Sequence, residues 1–311
     1  MLDQQALRGV DPPDTAFVGD LSVVIATYNC ADHLTRCLAS LADDRATSPY
    51  EVIVVDNEST DGTWDLATSA FPWVHAIAMG ANAGFSKACN RGYREASGRH
   101  VLMLNPDTIV PVGALRAAVA ELDRNSEVGM LGVKLVQPDG AFDHACKRGF
   151  PTPSSALAYF LRLHRLVRRP GRVDGYVAGA VDADEVSEVD AVNGAFMLVR
   201  REAVDDVGLF DEDYWLYMED LDWCYRFWQA GWRVLYWPLV TVEHVKGGSS
   251  GASRTWRINK AFHGGMWRFY STHYAPSRSA AMNAAVWLGI HSRLLLSATI
   301  SAIRRRTLSQ A

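Results

Sequence analysis

The sequence predicts an α/β protein in which helices cover both faces of a single, mostly parallel sheet. Two observations support this prediction. Short, continuously apolar segments alternate with segments whose apolar residues recur at helical spacing, and this alternation extends over the first third of the chain. Such apolar runs are typical of strands buried on both faces, and strands separated by helices favour parallel pairing.

The elements of the first half follow one another in a regular order. Leu34, Leu38 and Leu41 have helical spacing after the first strand, so this segment is predicted to pack one apolar face on the sheet. The second strand ends at Asp56, and Asp61 is predicted to cap the next helix. The predicted strands and intervening helices are "LSVVIATYN", "ADHLTRCLASLADD", "YEVIVVD", "WVHAIAMG", "AGFSKACNRGYREASG" and "HVLMLNPDT". In the less regular second half, "GWRVLYWPLVTVEHV" is predicted to form a pair of strands.

The composition excludes several classes of function. The chain has 311 residues and a formal net charge of −4, which provides no general attraction to nucleic acid. Its five cysteines are odd in number and none forms a CxxC pair, which argues against a disulfide framework and favours a reducing compartment. The turn after the first strand, "ATYNCADH", has neither a GxGxxG motif nor a Walker loop. A nicotinamide site or a P-loop is therefore excluded there.

Polar side chains follow three of the predicted strands at the point where each strand ends. They are Thr27, Tyr28 and Asn29, then Asp56 and Asn57, then Asn105 and Asp107. Ligands of open α/β sheets bind outside the carboxyl ends of the strands. The general polarity of loops is the alternative explanation, but three strand ends with the same character favour a binding site.

Two further residues have open interpretations. Asp107 in "LNPDT" is placed to hold a hard divalent cation, or to cap a helix with Pro111 in its first turn. His244 in "VEHVKGGSSG" is either a structural histidine or a ligand, and the glycine-rich loop after it suits a segment that closes over a ligand.

Six motifs occur in an order that resembles one family of enzymes. They are "SVVIATYN", "VIVVDNESTDGT", "GANAGFSKACNRGY", "VLMLNPDT", "NGAFMLVRREAVDDVGLFDEDYWLYMEDLDWCYR" and "EHVKGGSSG". Together they resemble the family 2 inverting glycosyltransferases with the GT-A fold, and more narrowly their bacterial rhamnosyltransferase-like branch. The resemblance implies a GT-A domain at residues 21–250, with a nucleotide-binding half (1–135) and an acceptor and catalytic half (136–250). Residues 1–20 are expected to form a flexible lead-in, and residues 251–311 a helical extension that could associate with a membrane.

The resemblance also implies a role for each matching residue. The residues expected to bind the nucleotide-sugar donor are Thr27, Tyr28, Asp56, Asn82, Gly84, Lys87, Asn105 and Gly194. Asp107 and His244 are expected to hold a divalent metal, Mg²⁺ or Mn²⁺. Asp220 is expected to be the catalytic base, and Glu219 to orient the acceptor. Asn105 stands where many relatives have the first Asp of a DxD motif, which leaves open whether the metal is strictly required.

The acids of "YMEDLDWCYR" suit the chemistry of such a reaction. A sugar hydroxyl holds its proton near neutral pH, and a carboxylate in hydrogen-bond reach accepts this proton as the hydroxyl attacks the anomeric carbon. The departing nucleoside diphosphate carries charge that a cation balances. Position alone also fits first-turn acids favoured by the helix dipole; Asp222 is expected to be structural.

The reaction implied by the resemblance moves a sugar, rhamnose in this branch, from a dTDP- or UDP-sugar to an acceptor hydroxyl. The acceptor is expected to be a polyprenyl-diphosphate-linked or cell-wall glycan. A nucleotidyltransferase is a second class, but it would need a basic signature loop that "ATYNCADH" lacks. A non-catalytic sugar-nucleotide-binding protein is a third class, against which the intact Asp107, Asp220 and His244 argue.

Two segments suggest contact with an anionic membrane surface. Residues 155–172 carry five arginines and no acid among apolar residues, which is typical of a basic amphipathic helix, although a solvated surface helix fits as well. The tail that ends in "RRR" is interrupted by His291 and Arg293, so an interfacial or packing helix is favoured over a span. We expect a cytoplasmic protein that is peripheral on the inner face of a bacterial membrane.

Overall fold

The computed structural model describes residues 20–151, 182–245 and 255–308, with side chains up to residue 297. The basic segment at residues 155–172 therefore lies outside the described residues, as does the glycine-rich loop after His244. The strands are β1 (Leu21–Thr27), β2 (Glu51–Asp56), β3 (His75–Ala78), β4 (His100–Leu104), β5 (Thr108–Ile109), β6 (Val128–Val136), β7 (Ser187–Glu188), β8 (Phe196–Arg200) and β9 (Arg233–His244). The helices are α1 (Ala31–Arg45), α2 (Thr63–Ser69), α3 (Phe85–Glu95), α4 (Ala114–Arg124), α5 (Arg201–Val207), α6 (Glu219–Gln229), α7 (Trp256–His273) and α8 (Ala280–Leu308).

The first half of the sheet has the parallel pairing that the sequence predicts. Strands β3, β2, β1 and β4 lie side by side in that order, and each pairs in parallel with its neighbour. Every residue of β1 and β4 is buried, because helices cover both faces of the sheet at this point. Continuous apolar runs are the pattern that this environment requires.

The second half of the sheet pairs in both directions, which differs from the mostly parallel sheet that was expected. Strand β8 is antiparallel to both β4 and β6, whereas β9 is parallel to β6 and antiparallel to β5 and β7. Local periodicity does not encode the direction of these partners, since they come from distant parts of the chain.

The predicted pair of strands in "GWRVLYWPLVTVEHV" is wrong, because Arg233–His244 forms one strand. The pairing with β6 shifts in register at Pro238: Val133 pairs with Trp237, but the next residue, Lys134, pairs with Thr241. Proline has no N–H to donate to a ladder, so it sits where the strand bulges. The bulge at Pro238 therefore lies within one strand and does not divide it into two.

The carboxylate of Asp61 accepts hydrogen bonds from the first turns of two helices. The donors are the N–H of Thr63, at the start of α2, and the N–H of Ala31, at the start of α1. These distances are 3.1 Å and 3.0 Å. The prediction that Asp61 caps α2 is confirmed by the bond to Thr63, although Gly62 is the residue that immediately precedes the helix.

The helices at the carboxyl end of the described chain pack on each other. Helix α8 leaves several large apolar side chains exposed, which are Met282, Trp287, Leu288, Leu295 and Leu296. Among the helices in the described ranges, none combines the length and the apolar composition needed to cross a bilayer.

Close packing of α3 on the parallel strands provides a test of the fold. A Cβ atom added at Gly92 would lie 2.4 Å from a methyl group of Val24 and 3.0 Å from one of Val55. We expect Gly92→Ala to lower the free energy of unfolding by about 1–3 kcal/mol, because overpacking forces buried neighbours apart. Gly289→Ala is the matched control, since a Cβ atom there meets nothing within 4 Å and alanine favours a helix. Urea denaturation that finds both variants equally stable would contradict the packing described.

Candidate active site

The carboxyl ends of β1 and β2 meet and fix the Asp56 carboxylate. Thr27 lies opposite Asp56 in the parallel register, and its Oγ1 donates to Asp56 Oδ1 at 3.1 Å. Ser59 donates its N–H and its hydroxyl to the same carboxylate at 2.8 Å and 2.5 Å. Asp56 and Thr27 are buried, whereas the adjacent Tyr28 is 40% exposed. This strand end therefore presents a rigid polar group beside an accessible aromatic ring.

Pairing of β5 with β9 brings the two candidate metal ligands together. Thr108 lies opposite His244 in the antiparallel register, so Asp107 stands beside the histidine. The distance from His244 Nε2 to Asp107 Oδ1 is 3.5 Å, and both side chains are buried. Helix α4 starts at Ala114, and Asp44 Oδ1 accepts the N–H of Gly113 at 2.5 Å. The interpretation of Asp107 as a helix cap is therefore wrong, because Gly113 precedes the helix and no described side chain caps it.

A second carboxylate, which the sequence did not indicate, lies on the other side of His244. Asp143 Oδ2 is 3.4 Å from His244 Nδ1, and its side chain is completely buried. Burial alone would lower the pKa of His244, but hydrogen bonds and charge from Asp107 and Asp143 outweigh it and raise the pKa to about 9. A carboxylate behind a metal-binding histidine fixes the ring orientation and the tautomer. Asp143 is placed to do this.

The chemistry of these residues fits a divalent cation. Asp107 Oδ1 is buried, and within the described residues it makes no hydrogen bond beyond the long 3.5 Å contact with His244 Nε2. Within the described ranges, no group of three or more His, Cys, Asp or Glu side chains forms a metal cage. Mg²⁺ and Mn²⁺ are often held by one or two protein ligands together with substrate phosphates, which is the arrangement that Asp107 and His244 permit.

Asn105 contributes its backbone to this turn. Its N–H donates to the carbonyl of Ala195 at 3.1 Å, and its carbonyl accepts from the hydroxyl of Thr108 at 2.8 Å. The side chain is partly exposed. The first bond ties the end of β4 to the residue before β8, and the second ties it to the start of β5; both help to position Asp107.

The start of α3 brings three of the expected donor-binding residues together. Asn82 and Gly84 precede the helix, and Lys87 is exposed in its first turn. Gly84 has φ +97°, and a Cβ atom there would lie 2.5 Å from the carbonyl oxygen of Trp215. The N–H of Phe85 donates to that carbonyl at 2.8 Å. Only glycine fits this position, because the chain around Trp215 closes directly over it.

A strained turn precedes the acids at the start of α6. Tyr217 and Met218 have φ values of 70° and 74°, a region that L-residues rarely adopt. Such strain costs about 1–3 kcal/mol per residue and is found where the surroundings enforce it, often at functional sites. Here it reverses the chain immediately before Glu219 and Asp220.

The Asp220 carboxylate faces Gly194 and an arginine that sequence reasoning missed. Gly194 donates its N–H to Asp220 Oδ2 at 3.2 Å, and Arg148 Nη2 donates to the same oxygen at 2.5 Å. Arg148 Nη2 also donates to the carbonyl of Val192 at 2.6 Å. Arg148 therefore fixes the orientation of the carboxylate. No sequence signal could have identified it, since it lies in an irregular segment 72 residues away.

Glu219 and Asp222 have environments that differ from that of Asp220. Burial raises the pKa of Glu219 above its ordinary value of 4.5, and the charge of Asp220 adds to the effect. Asp222 accepts hydrogen bonds from Arg226 Nε at 2.8 Å and His273 Nε2 at 2.7 Å, and it joins α6 to α7. Asp222 is structural, as expected, and of these acids Asp220 is the one with both partial exposure and fixed orientation.

Comparison with known proteins identifies the class. The sequence profile described as Glycosyl transferase family 2 matches residues 22–169. A Mycobacterium tuberculosis protein named N-acetylglucosaminyl-diphospho-decaprenol L-rhamnosyltransferase is 32% identical over 311 residues, which cover 93% of this chain and 96% of that protein.

Two solved structures share the fold. The mannosyltransferase PcManGT from Pyrobaculum calidifontis, in complex with GDP-Man and Mn²⁺, has a TM-score of 0.54 at 16% identity, over 94% of this chain and 75% of its own. S. aureus TarS 1–349 in complex with UDP-GlcNAc has a TM-score of 0.56 at 18% identity, over 88% of this chain and 73% of its own.

These findings define a glycosyltransferase with the GT-A fold. The chain belongs to glycosyl transferase family 2. The predicted α/β fold and the predicted class of enzyme are both confirmed. The two other classes considered, a nucleotidyltransferase and a non-catalytic binding protein, are not favoured by any of these matches. The roles of individual residues remain predictions.

The burial of Glu219 predicts a pH-dependent stability. Because the pKa is raised from 4.5 to about 8 in the folded state, the native protein binds up to one more proton than the unfolded chain between these two pH values. Stability should therefore fall as pH rises, by about 1.4 kcal/mol per pH unit within this window. We expect Glu219→Gln to remove this slope and to be more stable than the wild type at alkaline pH. Urea unfolding between pH 5 and pH 9 measures the free energy of unfolding of both proteins. The same pH dependence in both would contradict a raised pKa of Glu219.

Proposed function

We propose that the protein is an inverting glycosyltransferase that moves rhamnose from a dTDP-linked donor to the hydroxyl of a polyprenyl-diphosphate-linked or cell-wall glycan. The observation that carries this proposal is the pairing of Asp107 with His244 on the same protein as an oriented Asp220. The name of the M. tuberculosis relative supports the choice of sugar and acceptor. A UDP-sugar remains the alternative donor.

The proposed reaction is a single displacement with inversion. Asp220 accepts the proton of the acceptor hydroxyl as its oxygen attacks the anomeric carbon, and the bond from that carbon to the diphosphate breaks. Asp107 and His244 would hold a divalent cation, Mg²⁺ or Mn²⁺, which supplies positive charge for the diphosphate. Arg148 and the N–H of Gly194 keep the carboxylate of Asp220 in place.

The remaining site residues are proposed to bind the donor. Thr27, Tyr28 and Asp56 would contact the base and ribose, since the rigid Asp56 carboxylate adjoins an accessible tyrosine ring. The other donor contacts would come from Asn82, Gly84, Lys87, Asn105 and Gly194. Burial raises the pKa of Glu219, so it is better suited to shaping the acceptor site than to accepting a proton.

The proposed base can be tested with one substitution and one control. Asp220→Asn keeps the shape of the side chain and removes the proton acceptor, so we expect kcat to fall by about 10²–10⁴-fold. Binding of the nucleotide diphosphate should be unchanged, because its proposed ligands lie on other strands. The assay follows nucleotide release from a panel of sugar nucleotides with Mn²⁺ and acceptor.

Asp222→Asn is the control for this test. It breaks the contacts with Arg226 and His273, so stability should fall while the rate per folded molecule is retained. Full activity of Asp220→Asn would exclude it as the base, and a lack of turnover of any sugar nucleotide by the wild type would overturn the proposed function.

We also propose that the protein is cytoplasmic and associates with the inner face of a bacterial membrane. Leu288 and Leu295 are exposed on α8 and lie seven residues apart, on one face of the helix. The arginines of residues 155–172 would add electrostatic attraction to anionic lipid, at about 1 kcal/mol for each residue near the surface. Both features suit an enzyme whose acceptor is anchored in a bilayer.

Vesicle sedimentation tests this proposal. We expect the wild type to sediment with anionic vesicles and to be released as the salt concentration rises, because screening shortens the range of attraction. Replacement of Arg162, Arg165, Arg168 and Arg169 by Gln should weaken sedimentation, and Leu288→Ser with Leu295→Ser should weaken what remains at high salt. Sedimentation that neither variant changes would leave both segments as ordinary parts of the protein surface.

A further inference from the structure

A cationic cleft lies between α7 and the segment just before the acids of α6. Its volume is about 260 Å³, and its lining includes Trp215, Arg257, Lys260, Gly265 and Arg268. None of these residues belongs to the donor, metal or catalytic sets proposed above. The cleft is therefore a feature that the proposed mechanism does not use.

Two cations in this cleft pair with no carboxylate among the described residues. Arg268 bonds to two carboxylates, Asp211 at 2.7 Å and Asp213 at 2.8 Å, and Asp213 also lines the cleft. The three cations, Arg257, Lys260 and Arg268, therefore exceed these two carboxylates by one charge. Arg257 and Lys260 lie three residues apart and so share one side of α7, and in the described part of the chain neither forms an ion pair with a carboxylate. The cleft thus has a surplus of positive charge in a concave site, which favours an anion.

The indole of Trp215 holds one of these cations in position. The guanidinium of Arg257 lies over the Trp215 ring at 4.0 Å from its centroid, which is a cation–π contact. A guanidinium stacked in this way keeps its N–H groups at the ring edge available, and it can bind two oxygens of a phosphate at once. The arrangement suits a phosphate or a diphosphate better than a single carboxylate.

The cleft is joined directly to the candidate active site. The carbonyl of Trp215 accepts the N–H of Phe85 at the start of α3. On the other side, a Cβ atom at Gly265 would lie 3.0 Å from the carbonyl oxygen of Tyr217. The wall of the cleft is therefore the same short segment that leads into Glu219 and Asp220. An anion bound there would lie beside the segment that leads into Asp220.

The chain that forms the cleft continues into an exposed apolar helix. Helix α7 is followed by α8, whose Trp287, Leu288, Leu295 and Leu296 are all more than 40% exposed. A cationic cleft followed by an apolar surface matches an amphiphile with a phosphate head and a hydrocarbon tail. A nucleotide sugar has no such tail, and the proposed donor site already has its own groups for a diphosphate.

We propose that this cleft binds the diphosphate of a lipid-linked acceptor sugar, with Arg257 and Lys260 as its ligands. The inference rests on the proposed function for the nature of the acceptor, and it adds the residues that recognise it. Asp220 then meets a hydroxyl on the sugar while the cleft holds the diphosphate on the opposite end of that sugar. Specificity for lipid-linked acceptors over free sugars follows from this second point of attachment.

Calorimetric binding of farnesyl diphosphate tests the proposal without turnover. We expect the wild type to bind it with the same affinity in the absence of nucleotide and in the presence of saturating dTDP and Mn²⁺. Arg257→Gln with Lys260→Gln should weaken this binding by about 10-fold or more, since each lost contact is a charged hydrogen bond, and should leave the dTDP affinity unchanged. Inorganic pyrophosphate should bind more weakly than farnesyl diphosphate.

The control is Arg91→Gln with Arg124→Gln, which removes the same charge from two exposed helix positions and should bind farnesyl diphosphate like the wild type. Displacement of farnesyl diphosphate by dTDP, or unchanged affinity in the Arg257 and Lys260 variant, would overturn the inference. Transfer assays separate it from the proposed function. If the Arg257 and Lys260 variant turns over the donor with an unchanged acceptor KM, the proposed role of the cleft is refuted, but the proposed function stands. If the wild type turns over no donor, the proposed function is refuted.

Discussion

The two-residue pairing of β5 with β9 is the constraint on which the rest of the site depends. It sets Thr108 opposite His244 and thereby places a buried carboxylate 3.5 Å from an imidazole nitrogen. A buried carboxylate without a cationic partner destabilises a fold. This short ladder lowers that cost for Asp107, because it places His244 beside the carboxylate. The bulge at Pro238 lies upstream in the same strand, and β9 pairs with β6 on both sides of it. The last two residues of β9, Glu243 and His244, also pair with β5.

Three acids near the site have three different sets of neighbours. Asp107 faces a histidine that a second carboxylate keeps in place, Asp220 is oriented by Arg148, and Glu219 is buried with a raised pKa. Under the proposed mechanism, these different environments would let one fold hold a cation and accept a proton. The strained Tyr217–Met218 turn contributes to these differences, because it directs one acid inward and the next toward the open site.

The sequence was sufficient for the parts of the protein that depend on local pattern. The buried runs of β1, β2 and β4 predicted parallel strands, and the polar residues after them marked the edge where Asp56 and Asp107 lie. Local pattern could not reveal Asp143 or Arg148, because both come from an irregular stretch and act on partners 101 and 72 residues away. It also could not give the antiparallel direction of β8, which depends on long-range packing. The cleft beside Trp215 was hidden for the same reason, since its two walls are separate in the chain.

The proposed mechanism depends on a cation site formed by Asp107 and His244 and completed by the diphosphate of the donor. Anomalous diffraction from crystals grown with Mn²⁺ and dTDP measures this directly. We expect one manganese peak between the carboxylate of Asp107 and the imidazole of His244, next to the diphosphate of the bound nucleotide. We also expect the peak to be lost when dTDP is omitted or Asp107 is replaced by Ala. Nucleotide bound with no manganese at these residues, or a peak at another position, would exclude Asp107 and His244 as the metal ligands.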